Sequence, residues 1–349
     1  MKKVTYKNIH NFFKFNGVHL NGNELRVAAY YYIKEGDDHE RAMGEFLLDW
    51  FDENWYIDLQ TSGTTGAPKI IRKSKQALVN SALATGDFFD LKPGDTALCC
   101  LPVQFIAGKM MLVRSFILGL AIDVIPPSTN PLAILDKEYD FVAMVPMQVQ
   151  NSLNDLHKVK KLIIGGAKMD SSLEQKLLGI KTKVYETYGM TETITHIAAK
   201  KIGKQAFSIL PNVHISQDEK ECLVIDAPLV SEERLFTNDL VQIVNDQQFV
   251  LLGRIDNVVN SGGIKLIPEK IEEKLSDSIP SRFFVGGIPD AVLGEKLVLV
   301  VESDKQEFDD SIFTVLDKYE KPKELYFVPE FQSTESGKIK RKAILKALE

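Results

Sequence analysis

Short apolar runs alternate with segments of helical spacing through most of the chain. "YIDLQT" and "KIIRKS" read as two strands, and "KQALVNSALATGDFFDL" then places its apolar residues at helical intervals. "TALCCLPV", "AIDVIPP", "FVAMVPM" and "KKLIIGGA" each end in turn residues, with helical stretches "GKMMLVRSFILGL" and "MDSSLEQKLLG" among them. Such alternation predicts a layered α/β architecture. Past Glu219 the pattern changes to "ECLVIDAP" and "VQIVNDQQFVLLG", which predicts antiparallel strands with a tight turn at Asn245 and Asp246. Polar and glycine residues in "LLGRIDNVVNSGG" interrupt the strands before the amphipathic helix "PEKIEEKLSDS". The expected organisation is a large α/β domain over residues 1–253 and a small, mobile α+β domain over residues 254–349.

Composition narrows the classes. The 349 residues are 44% hydrophobic with a formal net charge of -6, enough to fill ordinary cores and without a general attraction to nucleic acid or anionic lipid. The three cysteines indicate neither a disulfide framework nor a metal cluster, and Cys99 and Cys100 sit in an apolar run that reads as a buried strand. "MKKVTYKNIHNFFKF" lacks the continuous apolar core of a secretory signal, and Arg114 and Asp123 interrupt "MMLVRSFILGLAIDVI". The cytoplasm is the default expectation, without membrane insertion. The sequence says nothing about oligomeric state.

The stretch "TSGTTGAPK" gathers hydroxyls, glycines and a lysine, a combination suited to phosphate oxygens. A Walker loop needs G-x-x-x-x-G-K-[ST] between a strand and a helix. Here the order runs Gly63 to Gly66, then Ala67-Pro68-Lys69 and Ile70, between two strands, so the Walker reading fails. A Gly-Thr-rich hairpin turn without a ligand is the plain alternative.

Four segments in order, "TSGTTGAPK", "YGMTET", "TNDL" with "LLGRIDNVVNSGG", and "ESGKIKRKAI", resemble the adenylate-forming acyl-CoA synthetase superfamily. The resemblance spans about 280 residues. It implies a large amino-terminal domain, a small rotating carboxyl-terminal lid, ATP and Mg²⁺, formation of an acyl-adenylate and transfer of the acyl group to coenzyme A. By this resemblance Thr61, Ser62, Gly63, Thr64, Thr65, Gly66 and Lys69 hold the β- and γ-phosphates, with Ile70 replacing a glycine common in relatives. Gly165, Gly166 and Ala167 frame the adenine edge, Tyr188 stacks on the base beside Gly189, Thr191 contacts the α-phosphate and Glu192 holds the metal. Asp239 accepts from the ribose hydroxyls with Arg254 beside it, although Asn238 stands where relatives often carry glycine. Asp256 falls at the hinge, and Gly262 and Gly263 line the pantetheine passage. Lys338 is the implied catalytic ammonium that stabilises charge as pyrophosphate departs. Each segment alone also reads as ordinary surface, turn or strand end.

The acid is read from departures. Phe105 occupies a position often held by histidine or an aromatic, and it equally reads as a core phenylalanine. Lys109 and Arg114 are cations in an otherwise apolar helix and call for a negative partner, which favours an acid with a second carboxylate; a helix-surface position is the plain alternative. Thr195 and His196 follow the metal segment and are placed near the acid. "DNVVNSGGIKLIPEKIE" and the arginine spacing after "LPVQFIAG" resemble the o-succinylbenzoate:CoA ligases of menaquinone synthesis, in compact form, since only about 60 residues precede the phosphate loop. Other acid:CoA ligases, an enzyme that loads a carrier protein, and a noncatalytic nucleotide-binding protein are the alternatives.

Overall fold

The computed structural model describes residues 4–60, 70–304, 310–333 and 339–348. The chain divides into two compact units. One comprises Met1–Lys168, Leu177–His214 and Asp226–Leu235; the other comprises Met169–Lys176, Ile215–Ile225 and Phe236–Glu349.

The first unit opens with strand β1 (Lys14–Phe15) and two helices, α1 (Gly22–Glu35) and α2 (Asp38–Trp50). Reciprocal side-chain and backbone bonds start both helices, from Asn21 with Glu24 and from Asp37 with Glu40. These satisfy amides that a helix start otherwise leaves open. Strands β2 (Tyr56–Gln60) and β3 (Ile70–Ser74) pair antiparallel, Gln60 facing Ile70, so the predicted hairpin around the phosphate segment is present. The next helix, α3 (Lys75–Phe89), is capped by Ser74, whose Oγ accepts from the Ala77 amide at 3.1 Å.

The apolar runs form parallel strands as the alternation predicts: β4 (Thr96–Cys99), β5 (Ala121–Val124), β6 (Tyr139–Met144) and β7 (Val159–Ile164). They continue into β8 (Lys183–Gly189), parallel to β7, after which β9 (His196–Lys201) and β10 (Phe207–Ile209) run antiparallel. Within this unit the order is β1-β5-β4-β6-β7-β8-β9-β10. Near-continuous apolar strands of this kind fit a sheet covered on both faces. Helix α4 (Ile106–Leu118) is buried from Met110 to Ile117 and ends at Gly119, whose φ of 75° suits a residue without a Cβ. A short helix, α5 (Pro146–Asn151), follows β6.

In the second unit α6 (Ser171–Leu177) lies mostly in the first segment. Strands β11 (His214–Gln217), β12 (Cys222–Asp226), β13 (Leu235–Asn245) and β14 (Gln248–Arg254) lie in the order β14-β13-β12-β11. The predicted β13–β14 hairpin forms with Asn245 facing Gln248, which moves the turn one residue on, to Asp246 and Gln247. The rest is a sheet of β15 (Val259–Ser261), β16 (Ile264–Leu266), β17 (Phe283–Asp290), β18 (Gly294–Glu302) and β19 (Glu324–Val328). Helices α7 (Pro268–Leu275) and α8 (Arg341–Lys346) belong to the same unit. Arg341 binds Glu272 with both guanidinium nitrogens, at 2.7 and 2.9 Å, and so ties the start of α8 to α7.

An aromatic cluster joins the amino-terminal segment and α2 to α4. Phe116 meets the rings of Phe13, Phe51 and Trp50 at centroid distances of 5.1, 5.6 and 6.2 Å. Phe116→Ala removes a fully buried ring and is expected to destabilise the first unit by about 3–5 kcal/mol. Thermal unfolding followed by circular dichroism checks this; a transition left within one degree or so of the parent would show the cluster to be energetically idle.

Candidate functional site

Several of the residues singled out in the sequence lie where strands end. Gly165 and Gly166 follow β7, and Gly166 has φ of 84°, a left-handed turn position that a glycine meets without strain. A Cβ on Gly165 would lie 2.7 Å from Thr187 Oγ1, whose hydroxyl donates to the Ile164 carbonyl at 2.9 Å. Ala167 continues this turn. Tyr188 is buried near the end of β8 against Phe207, ring centroids 6.0 Å apart. Gly189 closes the strand, and any Cβ there would meet the Thr195 carbonyl at 2.3 Å. The β8 end and the β9 start are therefore packed backbone to backbone.

Between them Thr191 and Glu192 occupy a single 3₁₀ turn, half-buried. The turn is tied by Thr193, whose Oγ1 accepts from the Met190 amide at 3.0 Å and faces the Thr195 carbonyl at 2.8 Å. Ile194 then adopts φ 68° and ψ −59°, and the Thr195 amide donates to the Thr193 carbonyl at 2.8 Å. That is a γ-turn centred on a fully buried, β-branched residue, a strained conformation costing about 1–3 kcal/mol. Strain of this kind persists only where surrounding packing fixes it. Its effect is to aim Thr195 toward α4.

Arg114 of α4 is 2% exposed, and its Nη2 donates to Thr195 Oγ1 at 3.4 Å. Nη1 meets only the sulfur of Met111, at 3.7 Å, and Nε has no partner. Among the described residues no carboxylate pairs with it. Burial pushes its guanidinium down to about 9, which still leaves it charged at neutral pH. Behind Thr195 lies His196, also buried, with Nδ1 at 3.3 Å from Thr195 Oγ1 and Nε2 at 3.3 Å from Thr85 Oγ1. Burial, and secondarily Arg114, push the imidazole well below its usual range, so it is neutral.

Lys109, expected to share the role of Arg114, sits elsewhere. Five residues along a helix is roughly 140° of rotation. Its Nζ donates to the Gln104 carbonyl at 3.1 Å and lies over the Phe46 ring, and burial lowers its ammonium while Asp49 and Glu45 of the α2 helix oppose that shift. Phe105 caps the start of α4 and is 46% exposed rather than part of the core. Lys73 in β3 faces Glu192: burial lowers its ammonium, opposed by Glu192 and Glu232. The sequence reasoning passed over Lys73 and Thr85; alternation along β3 and helical spacing along α3 were the only signals for them.

In the second unit Asp239 and Arg254 face each other across β13 and β14, with Nη1 at 3.4 Å from Oδ1. Arg254 Nη2 also meets Asp256 Oδ2 at 3.2 Å, and Asn238 donates to the same oxygen at 3.0 Å. Burial works against the Asp256 carboxylate, yet the bonds from Arg254 and Asn238 outweigh it and hold it below the usual range. Gly262 and Gly263 join β15 to β16 with φ of 58° and 83°, the backbone of a two-residue hairpin turn whose left-handed positions glycine adopts without strain. Thr61 to Lys69 and Lys338 lie outside the described residues.

A single half-buried carboxylate such as Glu192 suits Mg²⁺, which binds through one or two carboxylates together with phosphate oxygens and water. Among the described residues no cluster of three or more acidic, histidine or cysteine ligands forms a closed metal site, and no helix is long and apolar enough to cross a membrane.

A profile of AMP-binding enzymes matches residues 55–227. The 2-succinylbenzoate--CoA ligase of Bacillus cytotoxicus is 25% identical over 335 residues, covering 83% of this chain and 70% of that one. The crystal structure of O-succinylbenzoate coenzyme A synthetase from Bacillus subtilis, in complex with ATP and magnesium ion, is 20% identical. It aligns with a TM-score of 0.72, over 82% of this chain and 68% of that one. The acyl-CoA synthetase (AMP-forming)/AMP-acid ligase II-like protein from Dyadobacter fermentans is 35% identical, with a TM-score of 0.62, over 93% of this chain and 98% of that one. With the matched profile and a relative of this length and identity, the chain belongs to the AMP-binding enzyme family.

Proposed function

We propose that this protein is an AMP-forming acid:CoA ligase acting on o-succinylbenzoate or a closely similar acid with two carboxylates. The observation that carries the choice of acid is Arg114, a buried guanidinium with an unpartnered Nε and no carboxylate partner among the described residues. A cation held this way gains most from a ligand that brings its own anion. An acid with one carboxylate uses that group in the reaction and has nothing left to offer; a second carboxylate satisfies Arg114. The curated ligase named above supports the same assignment.

In the reaction, one carboxylate oxygen of the acid forms a bond to the α-phosphorus of ATP as the bond to pyrophosphate breaks. The acyl-adenylate remains. Lys338 is assigned to the charge that passes from carboxylate to pyrophosphate, and Thr61, Ser62, Gly63, Thr64, Thr65, Gly66 and Lys69 to the departing phosphates. Glu192 would hold Mg²⁺, which when bound neutralises phosphate charge; Thr191 donates to the α-phosphate. Gly165, Gly166, Ala167, Tyr188 and Gly189 are assigned to adenine, and Asp239 with Arg254 to ribose. The lid over residues 254–349 then pivots at Asp256, and the coenzyme A thiol attacks the acyl carbon beside Gly262 and Gly263, releasing AMP. Phe105 borders the thiol path. No cysteine nucleophile is needed: Cys99 is buried, its thiol pushed up to about 12 by burial.

The reading is tested by acid-dependent pyrophosphate release with o-succinylbenzoate, followed by mass identification of the thioester. No release with any aryl or alkyl acid would defeat it, and transfer to a phosphopantetheinyl carrier but not to free coenzyme A would redirect it. Lys338→Ala is expected to slow adenylation by about 10²–10³-fold, while thioester formation from supplied acyl-adenylate falls far less; equal loss in both half-reactions counts against the assigned role. Arg114→Ala is expected to reduce kcat/KM for o-succinylbenzoate by about tenfold or more, with a smaller effect on β-benzoylpropionate or o-butyrylbenzoate, each lacking one carboxylate. Identical losses on all three acids would remove Arg114 from acid recognition.

A further inference from the structure

We propose that His196 is a positioning residue for acid specificity: a neutral imidazole, protonated on Nε2, that holds Thr195 so that Thr195 in turn holds the guanidinium of Arg114 for the second carboxylate. The inference deepens the functional reading above and rests on it.

The assignment follows from counting protons along one line of contacts. Thr85 Oγ1 lies 2.9 Å from the carbonyl of Ser81, one turn earlier in α3, and donates its only proton there. With that proton committed, the same oxygen accepts from His196 Nε2 at 3.3 Å, so Nε2 carries a hydrogen. In a neutral ring Nδ1 is then an acceptor, and it takes the Thr195 hydroxyl proton at 3.3 Å. Thr195 Oγ1, having donated, accepts from Arg114 Nη2 at 3.4 Å. Each hydroxyl and ring proton along this line is used once, and the line runs from Arg114 toward α3. The opposite tautomer would leave Nε2 and Thr85 Oγ1 facing each other with no proton between them unless Thr85 gave up Ser81. An imidazolium would place a second cation beside Arg114 inside the protein.

The surroundings agree with a neutral ring. Phe89 of α3 packs edge-on to His196 at 6.0 Å. The charged group acting on the imidazole is Arg114, and the Cys99 thiol of β4, which acts on Arg114, is uncharged. The strained turn at Ile194 sets the backbone of Thr195, and His196 sets its hydroxyl. Together they fix one edge of the guanidinium and leave Nε without a partner.

The test uses the intact enzyme. His196→Leu keeps the bulk and removes both ring nitrogens; the ratio of kcat/KM for o-succinylbenzoate over that for the better of β-benzoylpropionate and o-butyrylbenzoate is expected to fall on the order of tenfold. His196→Gln, which supplies one donor and one acceptor, is expected to restore most of that ratio. Should the leucine variant fail to fold, Thr195→Val breaks the same line and is expected to lower the ratio equally. Nitrogen-15 NMR of labelled histidine is expected to show Nε2 protonated and Nδ1 bare, without titration between about pH 6 and 8. A ring protonated on Nδ1, or an unchanged ratio in an active His196→Leu enzyme, overturns the relay alone. Failure of all three acids to release pyrophosphate from the parent enzyme overturns the functional reading, and the specificity role with it.

Discussion

Removing a guanidinium from water is costly, and the first unit does so at Arg114 without supplying a carboxylate from the described residues. Everything distinctive about the β8–β9 connection is organised around that constraint. Gly189 admits the backbone of Thr195 at a distance no side chain would allow, and Ile194 takes an unfavourable turn that the buried surroundings impose. Thr195 arrives at hydrogen-bonding distance of the cation as the result. A neutral oxygen lessens the desolvation cost without cancelling the charge, so the site keeps an unmet preference for an anion.

The sheet explains why this happens at one end of the molecule's strands. In parallel α/β sheets, loops at the carboxyl ends of strands collect the chemistry because helices occupy the faces. The glycine turn after β7, the Thr191–Glu192 turn after β8 and the segment leading into α4 after β4 all start from such ends. β9 reverses direction, and its first residue is His196. The reversal lets consecutive residues at one strand end point both toward α4 and toward α3, a geometry that a parallel crossover through a helix would not supply.

Much of this architecture was legible in the sequence because it depends on short-range patterning. Apolar runs between turn residues predicted β4 to β7, and hydroxyl-rich and glycine-rich segments marked the turns. The hairpin flanking "TSGTTGAPK" followed from two alternating stretches on either side. What the sequence hid depends on rotation and on long-range contact. Lys109 and Arg114 look equivalent along the chain, yet one reaches the acidic face of α2 while the other points into the core. The φ of Ile194 had no signal, since β-branched residues seldom adopt it. Thr85 meets His196 across 111 positions of sequence, a contact that periodicity in α3 could not anticipate. The two glycines after Ser261 are implied by the resemblance to line a cofactor passage, and the hairpin turn's two positive φ angles give a second reason for glycine there.

A consequence for selectivity follows from the sign of the interaction at Arg114. A pocket that gains affinity by contact discriminates weakly between acids of similar shape, since one lost apolar contact changes binding only about 10–200-fold. A pocket containing a buried, partly satisfied cation discriminates in the other direction as well. On the function proposed above, an acid that lacks the second carboxylate leaves the buried Arg114 guanidinium without an anion to offset its charge. On that proposal, rejection of the wrong acid and recognition of the right one would come from the same side chain. The more firmly Arg114 is held, the less it can relax toward another partner and the larger that penalty becomes, which gives a buried, hydrogen-bonded histidine behind Thr195 a physical purpose without any proton transfer.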